Sequence, residues 1–281
     1  MTIIKLERRD VRLLLLYEFR LGHSAMEAER NICGAMGEGA LSYNTAKSWF
    51  QKLFFNFDLK NMPTVDKIRE SILEMSKQNE SHKFYETLRP EAFCPLKLKI
   101  GGDGDSGKVT CDPKRARNDC TMMSLGLNDQ IQFDEEIQSI TDYRCNIIGA
   151  DMARQNATTQ EKYAKMKGQL FVGNVPDTLK LYRMMIDSES KEVEILKIDI
   201  ESSEHAALEP FLKNYFVCQI LIEIHGLPAK QLEMLRKISR LGFRMFNFER
   251  NPSCTICCEY SFINEMCMSR YQVIPMVSLI T

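Results

Sequence analysis

The chain has 281 residues, with 37 Lys and Arg against 38 Asp and Glu and a formal net charge of −1. At 44% hydrophobic and 27% charged residues, its composition is that of an ordinary globular protein and excludes wholesale disorder, a collagen-like chain or a coiled-coil rod. No apolar run nears the ~20 residues of a membrane span, and the near-zero net charge argues against coating nucleic acid through bulk electrostatics.

Length alone suggests about two domains, and three short helices open the chain. Asp10 is placed to cap a helix over 11–20, which Gly22 ends. Ser24 starts a second helix, with Glu27 three residues on as its capping-box partner and an apolar stripe through Ala25, Ala28, Ile32 and Cys33. After a turn at Gly37 and Gly39, Ser42 caps a third helix. There Ala46, Trp49, Phe50 and Leu53 recur at helical spacing, and Tyr43, Asn44, Lys47, Ser48 and Lys52 are left for the other face. A tight turn before the third helix fits a helix-turn-helix, and a plain helical bundle fits the pattern as well. Residues 61–82 read as a polar, helical connector, which places the units at 1–60, 61–82 and 83–281.

Strand-like and helical runs then alternate. Strands are predicted over 121–125, 145–150, 169–172, 193–200, 217–224 and 243–248. Helices are predicted from about residue 133 and over 177–186, 204–214 and 229–241. Apolar strands separated by helices argue a parallel, doubly wound α/β sheet covered on both faces. Ligands of such sheets bind outside the carboxyl ends of the strands. Here those ends present Ser124, Gly126 and Asn128, then Asp151, then Asp199 and Glu201. A glycine after the first strand admits a ligand to the backbone, and an acid at the end of the second suits ribose hydroxyls. The dinucleotide fingerprint G-x-G-x-x-G is missing, which disfavours a nicotinamide enzyme and favours a nucleoside cofactor without pyrophosphate. Gly102 to Lys108 imitates a phosphate loop, but Val109 stands where Ser or Thr is needed. As a calcium loop the same run lacks its third ligand and its bidentate Glu. A tight turn is the better reading.

Ten cysteines lie scattered through the chain. The apolar residues 13–16 are too few for a secretory signal, so an intracellular location, nuclear or cytoplasmic, is expected, with most thiols free and buried. Cys254-x-x-Cys257-Cys258 has no second Cys/His pair to complete a zinc site, and no metal is expected.

Two resemblances add to this reading. The stretch LLYEFRLGHSAMEAERNICGAMGEGALSYNTAKSWFQKLFFNFDL resembles the N-terminal helix-turn-helix module of mariner-type transposases. That resemblance implies a third helix that enters a DNA major groove, with Tyr43, Asn44, Lys47, Ser48 and Lys52 as contacts and Trp49 and Phe50 in the core. The second helix-turn-helix and the catalytic domain of that family have no counterpart here. With nine Lys/Arg against seven Asp/Glu in residues 1–60, only weak DNA binding is expected.

Further on, the blocks IGGDGDSGKVTCDP, SLGLNDQIQFDEEI, CNIIGAD, EILKIDIESSEHAALEPF, CQILIEIHG and CCEYSFINE resemble, in order, a methyltransferase-like family related to the FkbM-type S-adenosylmethionine-dependent methyltransferases. That resemblance implies a Rossmann-like methyltransferase sheet that binds S-adenosylmethionine. Ser124, Gly126 and Asn128 would form the first cofactor loop and Asp151 would hold the ribose. Asp199, Glu201, Glu204, Glu223 and His225 would face a small-molecule or sugar-type acceptor, with His225 or Asp199 as the base. Relatives of this unit often look secreted, which would make Cys94, Cys111, Cys120, Cys254 and Cys258 remnants of a disulfide pattern. Three positions depart from the family: Ser202 replaces a glycine, Met152 replaces a proline, and the Gly-Gly-Lys-Trp block reads Ser106-Gly107-Lys108-Val109. The alternative function is a DNA-binding or interaction protein whose methyltransferase-like unit is catalytically degenerate.

Overall fold

A computed structural model describes residues 10–11, 14–15, 17–18, 23–56, 64–102 and 107–280, with the backbone alone over 51–56. The described residues of the first helix, 10, 11, 14, 15, 17 and 18, are helical. Ser24 caps α1 (Ala25–Met36) through the expected box: Glu27 N donates to Ser24 Oγ at 3.3 Å and Ser24 N donates to the Glu27 carboxylate at 2.7 Å. Thr45 N donates to Ser42 Oγ at 3.2 Å and starts α2 (Tyr43–Asn56). Leu14, Leu15, Ala28, Ile32 and Ala46 share a core that also takes in Phe93, from the unit expected over 83–281. Trp49 and Phe50 pack against it.

The segment expected as a polar connector carries α3 (Val65–Ser76) and α4 (Ser81–Thr87). Both helices feed the larger core, through Ile72 of α3 and Phe84 and Tyr85 of α4. A two-residue strand, β1 (Ala92–Phe93), and the hairpin β2 (Lys97–Ile100) and β3 (Lys108–Cys111) follow. The alternating elements then run β4 (Thr121–Leu125), α5 (Gln132–Ile140), β5 (Asn146–Asp151), α6 (Ala157–Lys165), β6 (Gln169–Val172) and α7 (Leu181–Asp187). They continue with β7 (Glu192–Ile198), α8 (Glu204–Leu212), β8 (Phe216–His225), α9 (Pro228–Arg240) and β9 (Phe243–Arg250). The chain finishes with β10 (Cys257–Asn264), α10 (Glu265–Tyr271) and β11 (Ile274–Pro275), which pairs with β1.

Seven strands form one sheet in the order β6-β5-β4-β7-β8-β10-β9. The neighbours from β6 to β8 are parallel, whereas β10 lies antiparallel between β8 and β9. The sequence pattern predicted no strand at β10 and a wholly parallel sheet, and both points are corrected. One face of the sheet packs on α3, α4, α7, α8 and α9, and the other on α5, α6, α10 and the β2–β3 hairpin. Among the described residues, no helix is long and apolar enough to cross a membrane.

The expectation of mostly free thiols is overturned. Cys94–Cys111, Cys120–Cys145, Cys218–Cys267 and Cys254–Cys257 are disulfides, and Cys33 and Cys258 are free. Three of the four pairs bring together residues 17, 25 and 49 positions apart, so strand pairing and packing, rather than local spacing, make them adjacent.

Candidate active site

The parallel strands end on one side of the sheet, where a cavity of about 310 Å³ opens between the ends of β4, β5 and β7. Gly126, Asn128, Asp151, Lys197, Asp199 and Glu201 are among its lining residues. Gly126 is the residue the cavity cannot do without. Its φ is +79°, and a Cβ placed on it would lie 1.7 Å from the backbone oxygen of Asp199. The β4 and β7 loops therefore meet backbone to backbone, and only glycine permits it.

Asp151, at the end of β5, organises the loop after β4. Its Oδ2 accepts from Asn128 N at 2.7 Å and its Oδ1 from Ala153 N at 2.9 Å. Each oxygen keeps a lone pair for a further donor, and the residue faces the cavity. Ser124 does not: it is buried within β4, with its hydroxyl beside the buried Asp134 carboxylate. Of the residues expected to form the cofactor loop, Gly126, Asn128 and Asp151 line the cavity, and Ser124 lies beneath it.

Two lysines missed by sequence reasoning lie under the acidic rim. Lys197 sits near the end of β7 between the apolar Leu196 and Ile198, and Lys108 comes from the β2–β3 hairpin. A lysine inside an otherwise apolar run was the available signal for the first. For Lys108 it was the altered Gly-Gly-Lys-Trp block, read above as a tight turn; the lysine instead opens strand β3. Its side chain is 1% exposed and its Nζ pairs with Glu259 and, at 3.4 Å, with Asp199 Oδ2. Burial opposes the Lys108 charge, but the carboxylates of Glu259 and Asp199 outweigh burial and hold its pKa above the ordinary value. Burial pushes Glu259 up to about 7. Burial also lowers the pKa of Lys197, helped by the nearby Lys108 charge; Lys197 Nζ donates to Gly126 O at 3.4 Å.

His225 ends β8. Its Nδ1 lies 2.8 Å from Glu204 Oε1 and its Nε2 lies 3.5 Å from Glu201 Oε2. The Glu204 hydrogen bond raises the His225 pKa to about 9, so at neutral pH the ring is an imidazolium, which donates protons and cannot accept one. Of the two bases proposed from the sequence, Asp199 is the one on the cavity wall. Glu201 and Ser202, in the turn before α8, have φ of 52° and 79°. The family's missing glycine thus falls on a left-handed residue, as the substitution suggested. Replacing Ser202 with Gly is expected to relieve about 1 kcal/mol of backbone strain and raise Tm by about 2–4 °C. An unchanged or lower Tm in a thermal melt would refute the strain.

On the helix-turn-helix, Tyr43, Asn44, Lys47 and Ser48 are all exposed on α2. The side chain of Lys52 lies outside the described residues.

A six-strand parallel set interrupted by one antiparallel strand, with the cavity at the strand ends, defines an α/β sheet of the methyltransferase kind. The chain belongs to a methyltransferase-domain family, which it matches over residues 51–264. Residues 8–53 match the helix-turn-helix domain of Mos1 transposase. The human histone-lysine N-methyltransferase SETMAR is 38% identical over 47 residues, which cover 17% of this chain and 7% of that protein. Among solved structures, the Methanococcus jannaschii fibrillarin pre-rRNA processing protein is similar at 13% identity and a TM-score of 0.36, over 60% of this chain and 82% of that one. A SAM-dependent methyltransferase from Aquifex aeolicus is similar at 12% identity and a TM-score of 0.34, over 71% and 98%.

Proposed function

We propose that the chain is an S-adenosylmethionine-dependent methyltransferase acting on an oxygen acceptor of a small molecule or sugar. The observation that carries this reading is the backbone contact at Gly126 beside the Asp151 carboxylate, a junction of two cavity loops that any side chain at Gly126 would force apart. The residues present fit the cofactor. Gly126 and Asn128 line its loop, Asp151 has free lone pairs for two ribose hydroxyls, and Val175 and Met152 add apolar wall. Bound there, the cofactor supplies an activated methyl group. Asp199, on the cavity wall, is placed to hold the proton of an acceptor hydroxyl, and Lys108 fixes that carboxylate from behind.

The exposed face of α2 and the match to a transposase helix-turn-helix support a second, separable activity, weak DNA docking through Tyr43, Asn44, Lys47 and Ser48. The disulfide frame weighs against its use. Four disulfides favour folding in an oxidising compartment, where a helix-turn-helix meets no chromatin.

Calorimetric titration of the full chain with S-adenosylmethionine and S-adenosylhomocysteine tests the enzyme reading. Micromolar binding is expected, weakened at least ten-fold by Asp151→Ala. Absence of binding to the folded wild-type chain would overturn the proposal in favour of an interaction protein.

A further inference from the structure

Next to the cavity, the ends of β7 and β8 bring imidazole and carboxylate ligands around one point. Glu204, fully buried at the start of α8, bonds His225 Nδ1 at 2.8 Å and so fixes the ring with Nε2 turned toward the carboxylates. On that side no described residue closes to hydrogen-bond distance. Glu201 Oε2 stands 3.5 Å away and Glu223 Oε2 stands 3.8 Å away. The Glu223 side chain is 4% exposed; Oε1 accepts from Asn251 at 2.7 Å, while Oε2 accepts no hydrogen bond among the described residues. Asp199 completes the arrangement. An Asp199 oxygen lies within 4.8 Å of ligand atoms of Glu201 and His225, and Asp199 also belongs to a separate group with Glu223 and Glu259.

Such spacing is too wide for direct pairing and suits a shared cation. Ligand atoms held tetrahedrally at about 2.1 Å from one metal ion lie about 3.4 Å apart. Lys108 neutralises Asp199 and Glu259 from the hairpin side, which leaves Glu223 and Glu201 on the far side. Cys257 also comes within reach of Glu223 and His225, but its bond to Cys254 withdraws the sulfur. The remaining set is nitrogen and oxygen, which suits manganese or zinc better than a soft thiophilic ion.

We propose that His225 Nε2, Asp199 and Glu201, with Glu223 Oε2 beside the ring, bind one divalent cation of the manganese–zinc class at the acceptor end of the cavity. The ion takes the place of the Nε2 proton, which is released to solvent. Its use in methyl transfer rests on the function proposed above: an acceptor oxygen brought to Asp199 would be polarised by the ion. The binding site itself does not depend on that function.

The test uses the full chain, stripped with EDTA and titrated with MnCl2 while free Mn2+ is read by electron paramagnetic resonance. One Mn2+ per chain is expected, displaced by Zn2+. Binding should weaken at least ten-fold in Glu223→Gln and in His225→Gln and stay unchanged in Glu161→Gln, an exposed acid on α6. Circular dichroism shows which variants fold. Independently of any variant, electron spin-echo modulation from an imidazole nitrogen is expected on the bound Mn2+ of the wild type. A wild-type chain that binds S-adenosylhomocysteine but retains no Mn2+ overturns the metal site and leaves the methyltransferase reading standing. Retention that neither substitution weakens, or that lacks the nitrogen modulation, also overturns it. Retention with both signatures in a chain that binds no S-adenosylhomocysteine upholds the metal site and overturns the cofactor reading instead.

Discussion

Replacing Lys108 with methionine is expected to destabilise the folded chain by about 3–5 kcal/mol, the usual effect of removing one partner of a buried ion pair. The side chain is 1% exposed, whereas Asp199 and Glu259 are 18% and 17% exposed. Without the ammonium, two largely desolvated carboxylates face each other across the hairpin interface, near a third at Glu223. Adding Glu259→Gln to the same variant should recover part of the loss, because it removes one uncompensated charge while nearly keeping the side-chain volume. Urea denaturation of the three proteins measures both effects. A single variant within 1 kcal/mol of wild type would mean that the hairpin, rather than the charge, holds this corner together. The double variant separates charge from packing, since both proteins lack the lysine stem.

Gly126→Ala is the second large expected effect. The added Cβ would lie 1.7 Å from Asp199 O and 2.8 Å from its carbonyl carbon, both backbone atoms, at a φ of +79°. The loops after β4 and β7 must separate to admit it. A loss of about 3 kcal/mol is expected from overpacking and left-handed strain together, along with cofactor affinity, because the same two loops wall the cavity. Gly39→Ala supplies the comparison. That glycine has a nearly identical φ of +83°, but an added methyl would meet no heavy atom within 4 Å, so strain alone acts and about 1 kcal/mol is expected. Equal losses in the two variants would show that the close approach at Gly126 contributes nothing.

The elements that the amino-acid order could define were those with short-range causes. The Ser24–Glu27 cap, the turn at Gly37 and Gly39, and the apolar runs of β4, β5, β7 and β8 each follow from side-chain chemistry within a few residues. Strand ends bounded by Gly126 and Asp151 located the cavity for the same reason. The resemblance to known families then supplied the methyltransferase sheet, which the strand order bears out. Such reasoning could not reach the partners of Lys108. The lysine meets Asp199 across 91 positions of chain and Glu259 across 151, and no local pattern encodes a distance between side chains so far apart.

Tertiary structure decided three further matters. The alternation in CCEYSFINE marks a surface that a strand could present but not its neighbours or direction, which came from pairing with β8 and β9. The cysteines could be counted and spaced in the sequence, yet a disulfide depends on Cα separation, and folding brings Cys218 and Cys267 to 5.8 Å. His225 could be placed at a strand end, but its protonation depends on Glu204 reaching it from α8. What the sequence by itself determined is therefore the class of sheet, the helical module before it and the glycine and acid that frame the cavity, because each rests on local backbone and solvation preferences. The charge state, cross-links and ligand geometry of the site were decided by the fold, because Coulomb interactions, covalent bridges and coordination all act through space.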